Sequence, residues 1–102
     1  MSLQVCGYAF VGPFNNTNFL EDRSGIYIIM DMRHDGNFII DVGESSAVKT
    51  RVTTHDRKDC WSANKIGNLP IFVLYTPNLQ QFSRMQIEQE IRRNYNPICG
   101  ER

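Results

Sequence analysis

Two short apolar runs separated by an Asp-Gly pair constrain the fold of this chain more than any other feature. Ile26–Asp31 and Phe38–Val42 are rich in β-branched residues and too short to be helices. The Asp35-Gly36 pair between them is a strong short-range signal for a tight hairpin turn. Both runs are apolar at consecutive positions, which predicts burial on both faces. The sequence therefore predicts a central antiparallel hairpin that is covered on each side.

Further elements are predicted from local patterns on either side of this hairpin. Residues 2–12 alternate loosely between apolar and polar types, which predicts a short edge strand or an ordered arm. After Gly43, Ser45 or Ser46 is suitably placed to cap a short helix, on which Arg51 and His55 are expected to lie one turn apart. The charged stretch over residues 56–65 predicts a second short helix or a turn.

The C-terminal part of the chain predicts one more strand and the longest helix. Residues 70–77 form an apolar run bounded by prolines, which cannot continue a strand. Residues 78–94 carry apolar positions at helical spacing, and Pro97 ends that pattern. The chain is thus predicted to be a single α+β domain over residues 1–102. Its sheet is expected to be small, three-stranded and mainly antiparallel, with flanking helices and room for an extra N-terminal edge strand.

Composition limits the classes of partner. The 102 residues include eleven basic and eleven acidic side chains, so the net charge is zero. This balance argues against tight non-specific nucleic-acid binding but is compatible with a local basic face. No run approaches the ~18 apolar residues of a membrane span, and the N-terminus does not resemble a signal sequence. A cytoplasmic protein without a membrane partner is expected.

The cysteines carry no local signature. Cys6, Cys60 and Cys99 are odd in number and widely separated, without a C-x-x-C spacing. This pattern argues against a disulfide framework and against a zinc ribbon, and it favours buried or incidental thiols. A zinc site that combines them with His34 and His55 is conceivable but has no local support.

Several residues in order along the chain resemble the GIY-YIG nuclease domain. Gly25-Ile26-Tyr27 is its opening motif, and Asp41-Val42-Gly43 stands where the family usually has tyrosine, a branched apolar residue and glycine. Arg51 lies eight residues beyond that glycine, at the place of the family's catalytic arginine, and His55 lies where members carry histidine or tyrosine. Glu88 looks like the family's metal-binding glutamate. The resemblance covers about residues 24–99.

Two positions depart from the family pattern. Asp41 replaces the tyrosine of the second motif, and Gly100 stands where many members have an asparagine. A carboxylate at position 41 changes the local charge and could act as a base or as a second metal ligand. These departures concern activity more than fold.

The resemblance implies metal-assisted hydrolysis of a phosphodiester and assigns a role to each residue. Glu88 would hold one divalent ion, Mg²⁺ or Mn²⁺, since hard cations prefer oxygen ligands. Arg51 would bind the phosphate with a charge that does not titrate away. Tyr27 would be the base, assisted by His55 and ranked ahead of Asp41.

The expected substrate is DNA, with RNA not excluded, and a partner protein or a homodimer would supply specificity. Each residue taken singly has an ordinary structural explanation, so the prediction depends on their joint spacing. The alternative is a GIY-YIG fold with a decayed active site that binds nucleic acid or protein. The basic residues that could contact phosphates are Lys49, Arg51, Arg57 and Lys58.

Overall fold

An antiparallel sheet of five strands forms the centre of the computed structural model, which describes residues 2–100. The strands run across the sheet in the order β1-β2-β5-β3-β4, and every strand pair is antiparallel. The strands are β1 (Ser2–Val5), β2 (Tyr8–Phe14), β3 (Gly25–Arg33), β4 (Gly36–Ser45) and β5 (Ile71–Tyr75). The described residues also form three α-helices, α1 (Val48–Thr53), α2 (Lys58–Asn64) and α3 (Gln81–Tyr95), and one short 3-10 helix (Thr17–Phe19). The predicted α+β class is confirmed.

The predicted hairpin is present as β3 and β4, and it is longer than the apolar runs that indicated it. Arg33 pairs with Gly36, so only two residues form the turn. β3 lies between β5 and β4, whereas β4 is at the edge of the sheet, so the prediction of a central position is confirmed for β3 and wrong for β4. The register shifts after Ile29, which pairs with Asp41, whereas the next residue pairs with Ile39. This β-bulge leaves Ile40 without a partner across the ladder and locally bends the strand.

The N-terminal stretch forms two strands where the sequence predicted one strand or an arm. Cys6 and Gly7 have φ angles of 52° and 83°, as a two-residue turn with positive φ at both positions requires. β2 then pairs with β5 and extends the predicted three strands to five. A non-glycine residue with positive φ is uncommon, and the Cys-Gly pair therefore gave little warning of a turn.

The two faces of the sheet are covered by different helices. Along β3, alternate side chains point to opposite faces. One face packs against α3 through a purely apolar cluster that includes Ile26, Ile28, Met30, Val42, Ile87 and Ile91. The other face packs against α1 and α2 through Tyr27, Ile29, Val48, Val52, Trp61 and Cys99. We call these the α3 face and the α1/α2 face.

The short helix after β4 differs from its prediction in two respects. Ala47 precedes its first turn and makes no side-chain cap, while the Ser45 hydroxyl accepts a hydrogen bond from the Ala47 backbone N–H at 2.9 Å. The helix ends at Thr53, so His55 lies in the following turn and not on the helix. The predicted helical spacing of Arg51 and His55 is therefore wrong, although both side chains still reach one region.

The expectation of unpaired thiols is wrong for two of the three cysteines. Cys60 and Cys99 form a disulfide with their Cα atoms 6.0 Å apart, while Cys6 is free. The bond joins α2 to the segment that follows α3, and Cys99 also donates its backbone N–H to the Ile40 carbonyl. Separation along the chain does not measure separation in space, which is why the spacing misled. Across residues 2–100, no helix is long and apolar enough to cross a membrane.

Candidate functional site

The tyrosine of the first motif is hydrogen-bonded to the histidine beyond α1. Tyr27 Oη and His55 Nε2 are 2.7 Å apart, and both side chains are almost completely buried on the α1/α2 face. Tyr27 lies directly across the strand pair from Gly43, and any side chain there would overlap its phenol oxygen. The glycine of the second motif is thus required by the close approach of the tyrosine ring.

The hydrogen bonds of His55 define which of its ring nitrogens carries the proton. The backbone N–H of Arg57 donates to Nδ1 at 3.0 Å, so Nδ1 is unprotonated. The neutral ring must then carry its hydrogen on Nε2 and donate it to Tyr27 Oη. Burial lowers the pKa of His55 to about 4, with help from the positive charges of Arg51 and Arg57. The imidazole is therefore neutral at physiological pH.

The phenol of Tyr27 is a weak acid in this environment. Burial raises its pKa to about 12, although the charges of Arg51 and Arg57 act in the opposite direction. The negative charge of Asp41 adds to the increase. Burial therefore outweighs the two arginine charges.

Asp41 lies at the centre of a buried hydrogen-bond network and has no exposed surface. Its carboxylate accepts from four groups: Val42 N at 2.8 Å, Trp61 Nε1 at 2.8 Å, Arg57 Nε at 2.7 Å and Arg92 Nη2 at 2.8 Å. A carboxylate with so many donors is satisfied by the protein itself. This environment favours a structural role for Asp41 over the predicted role as base or metal ligand.

Arg57 was predicted to contact phosphates, but its guanidinium is engaged with Asp41. Nε and Nη2 lie 2.7 Å and 3.3 Å from the two carboxylate oxygens, and about a quarter of the side chain remains exposed. The backbone and the side chain of Arg57 thus serve two different partners in the site. Its contribution is the support of His55 and Asp41.

Arg92 is the residue of this region that sequence reasoning missed. Only 2% of it is exposed, and it donates to Asp41, to the Val42 carbonyl and, at 3.2 Å, to the Cys99 carbonyl. Gly100 packs against its guanidinium so closely that a Cβ at that position would lie 2.6 Å from Nη2. An aspartate within an apolar strand run was the available signal, since a buried carboxylate requires a cation beside it.

Glu88 lies at the border of this network, and its carboxylate is more exposed than that of Asp41. Its side chain is 16% exposed, and the Arg92 guanidinium is 3.7 Å away, farther than from Asp41. Burial raises the pKa of Glu88; the charge of Arg92 lowers it and that of Glu44 raises it. Within residues 2–100, no three His, Cys, Asp or Glu side chains are grouped to hold a metal ion. Glu88 fits a Mg²⁺ ion that takes one carboxylate and completes its shell with water and phosphate oxygens.

Arg51 is a partly exposed cation next to the buried Tyr27–His55 pair. Its guanidinium is 3.1 Å from Asp56, and the two side chains are 39% and 72% exposed. Lys49 on the same helix is half-buried, and Lys58 at the start of α2 is exposed. The structure thus brings Tyr27, Arg51 and His55 together, with Glu88 reached through Asp41 and Arg92.

No protein-family model, curated protein or solved structure significantly matches this chain.

Proposed function

We propose that this protein is a GIY-YIG-like endonuclease that hydrolyses DNA phosphodiester bonds with a divalent metal ion. The observation that carries the proposal is the hydrogen bond between Tyr27 and His55 beside the Arg51 guanidinium. A tyrosine paired with a neutral histidine and a cation is a suitable arrangement for moving a proton next to a phosphate. The order of the motif residues along the chain supports the same function.

In this proposal Arg51 binds the scissile phosphate. Its ion pair with Asp56 is exposed and therefore contributes little, so a phosphate can replace Asp56 at low cost. A guanidinium presents two parallel N–H donors to phosphate oxygens and keeps its charge at every relevant pH. Lys49 and Lys58 would contact neighbouring phosphates.

Tyr27 and His55 handle the proton. Because Nε2–H donates to the phenol oxygen, His55 stabilises a phenolate rather than accepting the proton itself. Tyr27 would be the base, and with a pKa of about 12 it needs further positive charge nearby before it releases its own proton. Glu88 would hold a Mg²⁺ or Mn²⁺ ion, which when bound neutralises the phosphate and adds that charge.

One observation favours a second candidate, a nucleic-acid or protein binding module on the same fold. Tyr27 and His55 are at most 5% exposed, and Asp41 is neutralised by two arginines. A substrate phosphate that binds at Arg51 would then have no access to the buried Tyr27–His55 pair. In this case the protein binds its partner without cutting.

Nicking of supercoiled plasmid in Mn²⁺, with and without a chelator, tests the proposal. We expect chelator-sensitive nicking that Arg51→Ala and Glu88→Ala each abolish. Arg23→Ala is the matched control for the first, because Arg23 is also an exposed arginine paired with an acidic neighbour. Glu90→Ala is the control for the second, because Glu90 is half-buried on the same helix.

Two outcomes overturn the endonuclease. Undiminished nicking by Arg51→Ala or Glu88→Ala removes the site, and binding of duplex, branched or single-stranded DNA without cutting supports the binding module. RNA substrates belong in the same panel, as do mixtures that test a partner protein or a homodimer.

The cytoplasmic location belongs to the proposal too, although the Cys60–Cys99 disulfide favours an oxidising compartment.

A further inference from the structure

We infer that Asp41 is a positioning residue, which holds His55 in the tautomer that donates to Tyr27 by anchoring Arg57 and Trp61. The inference rests on the proposed function for its catalytic consequence only. The tautomer itself is a property of the folded protein without substrate. The two claims can therefore fail separately.

The first link runs through Arg57. Its guanidinium is held by both oxygens of Asp41, while its backbone N–H donates to His55 Nδ1 at 3.0 Å. Arg57 is the residue just before α2, and its carbonyl accepts a hydrogen bond from the Trp61 backbone N–H at 3.0 Å. Anchoring the side chain therefore keeps the backbone N–H directed at the imidazole.

The second link runs through Trp61. Its indole N–H donates to Asp41 Oδ2 at 2.8 Å, and its ring lies against the His55 ring with centroids 4.6 Å apart and planes at 44°. The orientation of the indole is set by that hydrogen bond, and the indole in turn restricts rotation of the imidazole. One carboxylate oxygen thus controls two neighbours of His55.

The charges explain why removal of the Asp41 charge would act on His55 in particular. Two guanidinium groups share this carboxylate, and without it they repel each other in a buried site. Arg92 is 2% exposed and cannot leave, whereas Arg57 has about a quarter of its side chain in solvent. Arg57 is therefore expected to turn outwards and to withdraw its N–H from Nδ1.

The charged and titratable groups that face His55 lie on several different elements. They are Tyr27 on β3, Asp41 on β4, Arg51 on α1, and Asp56 and Arg57 in the turn before α2. Arg57, anchored by Asp41, donates to Nδ1, and Asp56 Oδ1 lies 3.3 Å from the same nitrogen, where it would accept a hydrogen carried on Nδ1. The tautomer therefore reports this link more directly than the pKa of His55 does.

The test is nitrogen NMR of ¹⁵N-histidine-labelled protein, comparing wild type, Asp41→Asn and Asp31→Asn. Asp31 is the matched control: it is equally buried on β3 and is paired with Arg33 at 2.7 Å, away from His55. We expect His55 of the wild type and of Asp31→Asn to have a single tautomer with hydrogen on Nε2. In Asp41→Asn we expect both tautomers to be populated.

Retention of the single tautomer in Asp41→Asn overturns the inference, as does an equal change in Asp31→Asn. If Asp41→Asn does not fold, Arg57→Ala replaces it, because this change keeps the backbone N–H and removes only the anchor. Both tautomers are then expected for Arg57→Ala and one for Lys58→Ala; a single tautomer in Arg57→Ala rejects the positioning role. Where nicking is present, Asp41→Asn should lower kcat with little change in KM.

Discussion

The two faces of the sheet differ in what they bury. The α3 face is a continuous apolar cluster in which Ile28 and Ile91 have no exposed surface. The α1/α2 face buries Asp31, Asp41 and His55 among its apolar side chains, and each of the three is hydrogen-bonded within the protein. Buried polar groups need such partners because an unpaired one costs stability.

The difference teaches where stability and chemistry reside in this molecule. The apolar cluster of the α3 face tolerates changes that preserve volume, and its titratable neighbours, such as Cys6, Tyr8 and the Glu44–Arg84 pair, lie around it. The α1/α2 face depends on charge, on tautomer and on a disulfide, so it should respond to pH and to reducing agents. The predictions that follow test this contrast.

The largest expected effect comes from two neighbouring isoleucines on β3. Ile28 points to the α3 face and Ile29 to the α1/α2 face, and each is at most 1% exposed. We expect Ile28→Ala and Ile29→Ala each to lower the free energy of unfolding by about 2–5 kcal/mol, measured by urea denaturation. Only Ile29→Ala should also shift the NMR signals of His55. Equal shifts in both variants contradict the division into two faces.

Loss of the disulfide is expected to have the next largest effect, and this bond lies on the α1/α2 face. The bond spans 39 residues, and closing a loop of this length constrains the unfolded chain by about 2–4 kcal/mol. Cys60→Ser, or reduction of the wild type, should lower the free energy of unfolding by that amount. Cys6→Ser is the control, because Cys6 is the free thiol. Equal unfolding midpoints for oxidised and reduced protein would refute the structural role of the bond.

Acid should destabilise the α1/α2 face through His55. Its pKa is about 4 in the folded protein, with burial as the main cause, against an ordinary value of about 6.5. The unfolded chain therefore takes up a proton first, and stability is lost as pH falls from about 6.5 towards 4. The loss attributable to His55 is roughly 3 kcal/mol at most.

Denaturation of wild type and His55→Gln between pH 7 and 4.5 measures this contribution, because glutamine does not titrate. The variant should show a flatter pH dependence over that range. A slope as steep as that of the wild type would assign the acid sensitivity to other groups. The contribution of Asp31 to stability is lost at a lower pH than that of His55. Burial favours the neutral form of Asp31, but Arg33 and two backbone N–H groups lower its pKa overall.

The smallest expected effect on stability concerns Arg51. Its ion pair with Asp56 is exposed on both sides, and such pairs contribute less than about 1 kcal/mol. Arg51→Ala should therefore unfold within about 1 kcal/mol of wild type in urea. A larger loss would mean that Arg51 supports the fold, and loss of nicking in this variant could then not be assigned to phosphate binding.

Much of the fold could be predicted from local sequence. The β3–β4 hairpin followed from two apolar runs and a turn signal, and α3 followed from apolar positions at helical spacing. The N-terminal hairpin escaped prediction because its turn places Cys6 at positive φ, which the residue type does not indicate. The end of α1 was placed too late, because helix ends depend on tertiary contacts such as the one between His55 and Tyr27.

The candidate site was predictable in part. The spacing of motif residues singled out Tyr27, Arg51 and His55, and the structure places them together. The spacing did not indicate that Tyr27 and His55 would be almost completely buried, or that Arg92 would form an ion pair with Asp41. Pairings between distant residues depend on the packing of whole elements, and no local pattern encodes them.

By itself the sequence determined the β3–β4 hairpin, strand β5, the longest helix and the residue types available for chemistry, since these depend on near neighbours and on side-chain periodicity. The tertiary structure alone decided what surrounds each of those residues. Asp41 became a satisfied internal carboxylate, Cys60 and Cys99 became a bond, and the tautomer of His55 was set by the backbone of Arg57. The physical reason is that burial and hydrogen bonding depend on distances through space, which the order of residues does not contain.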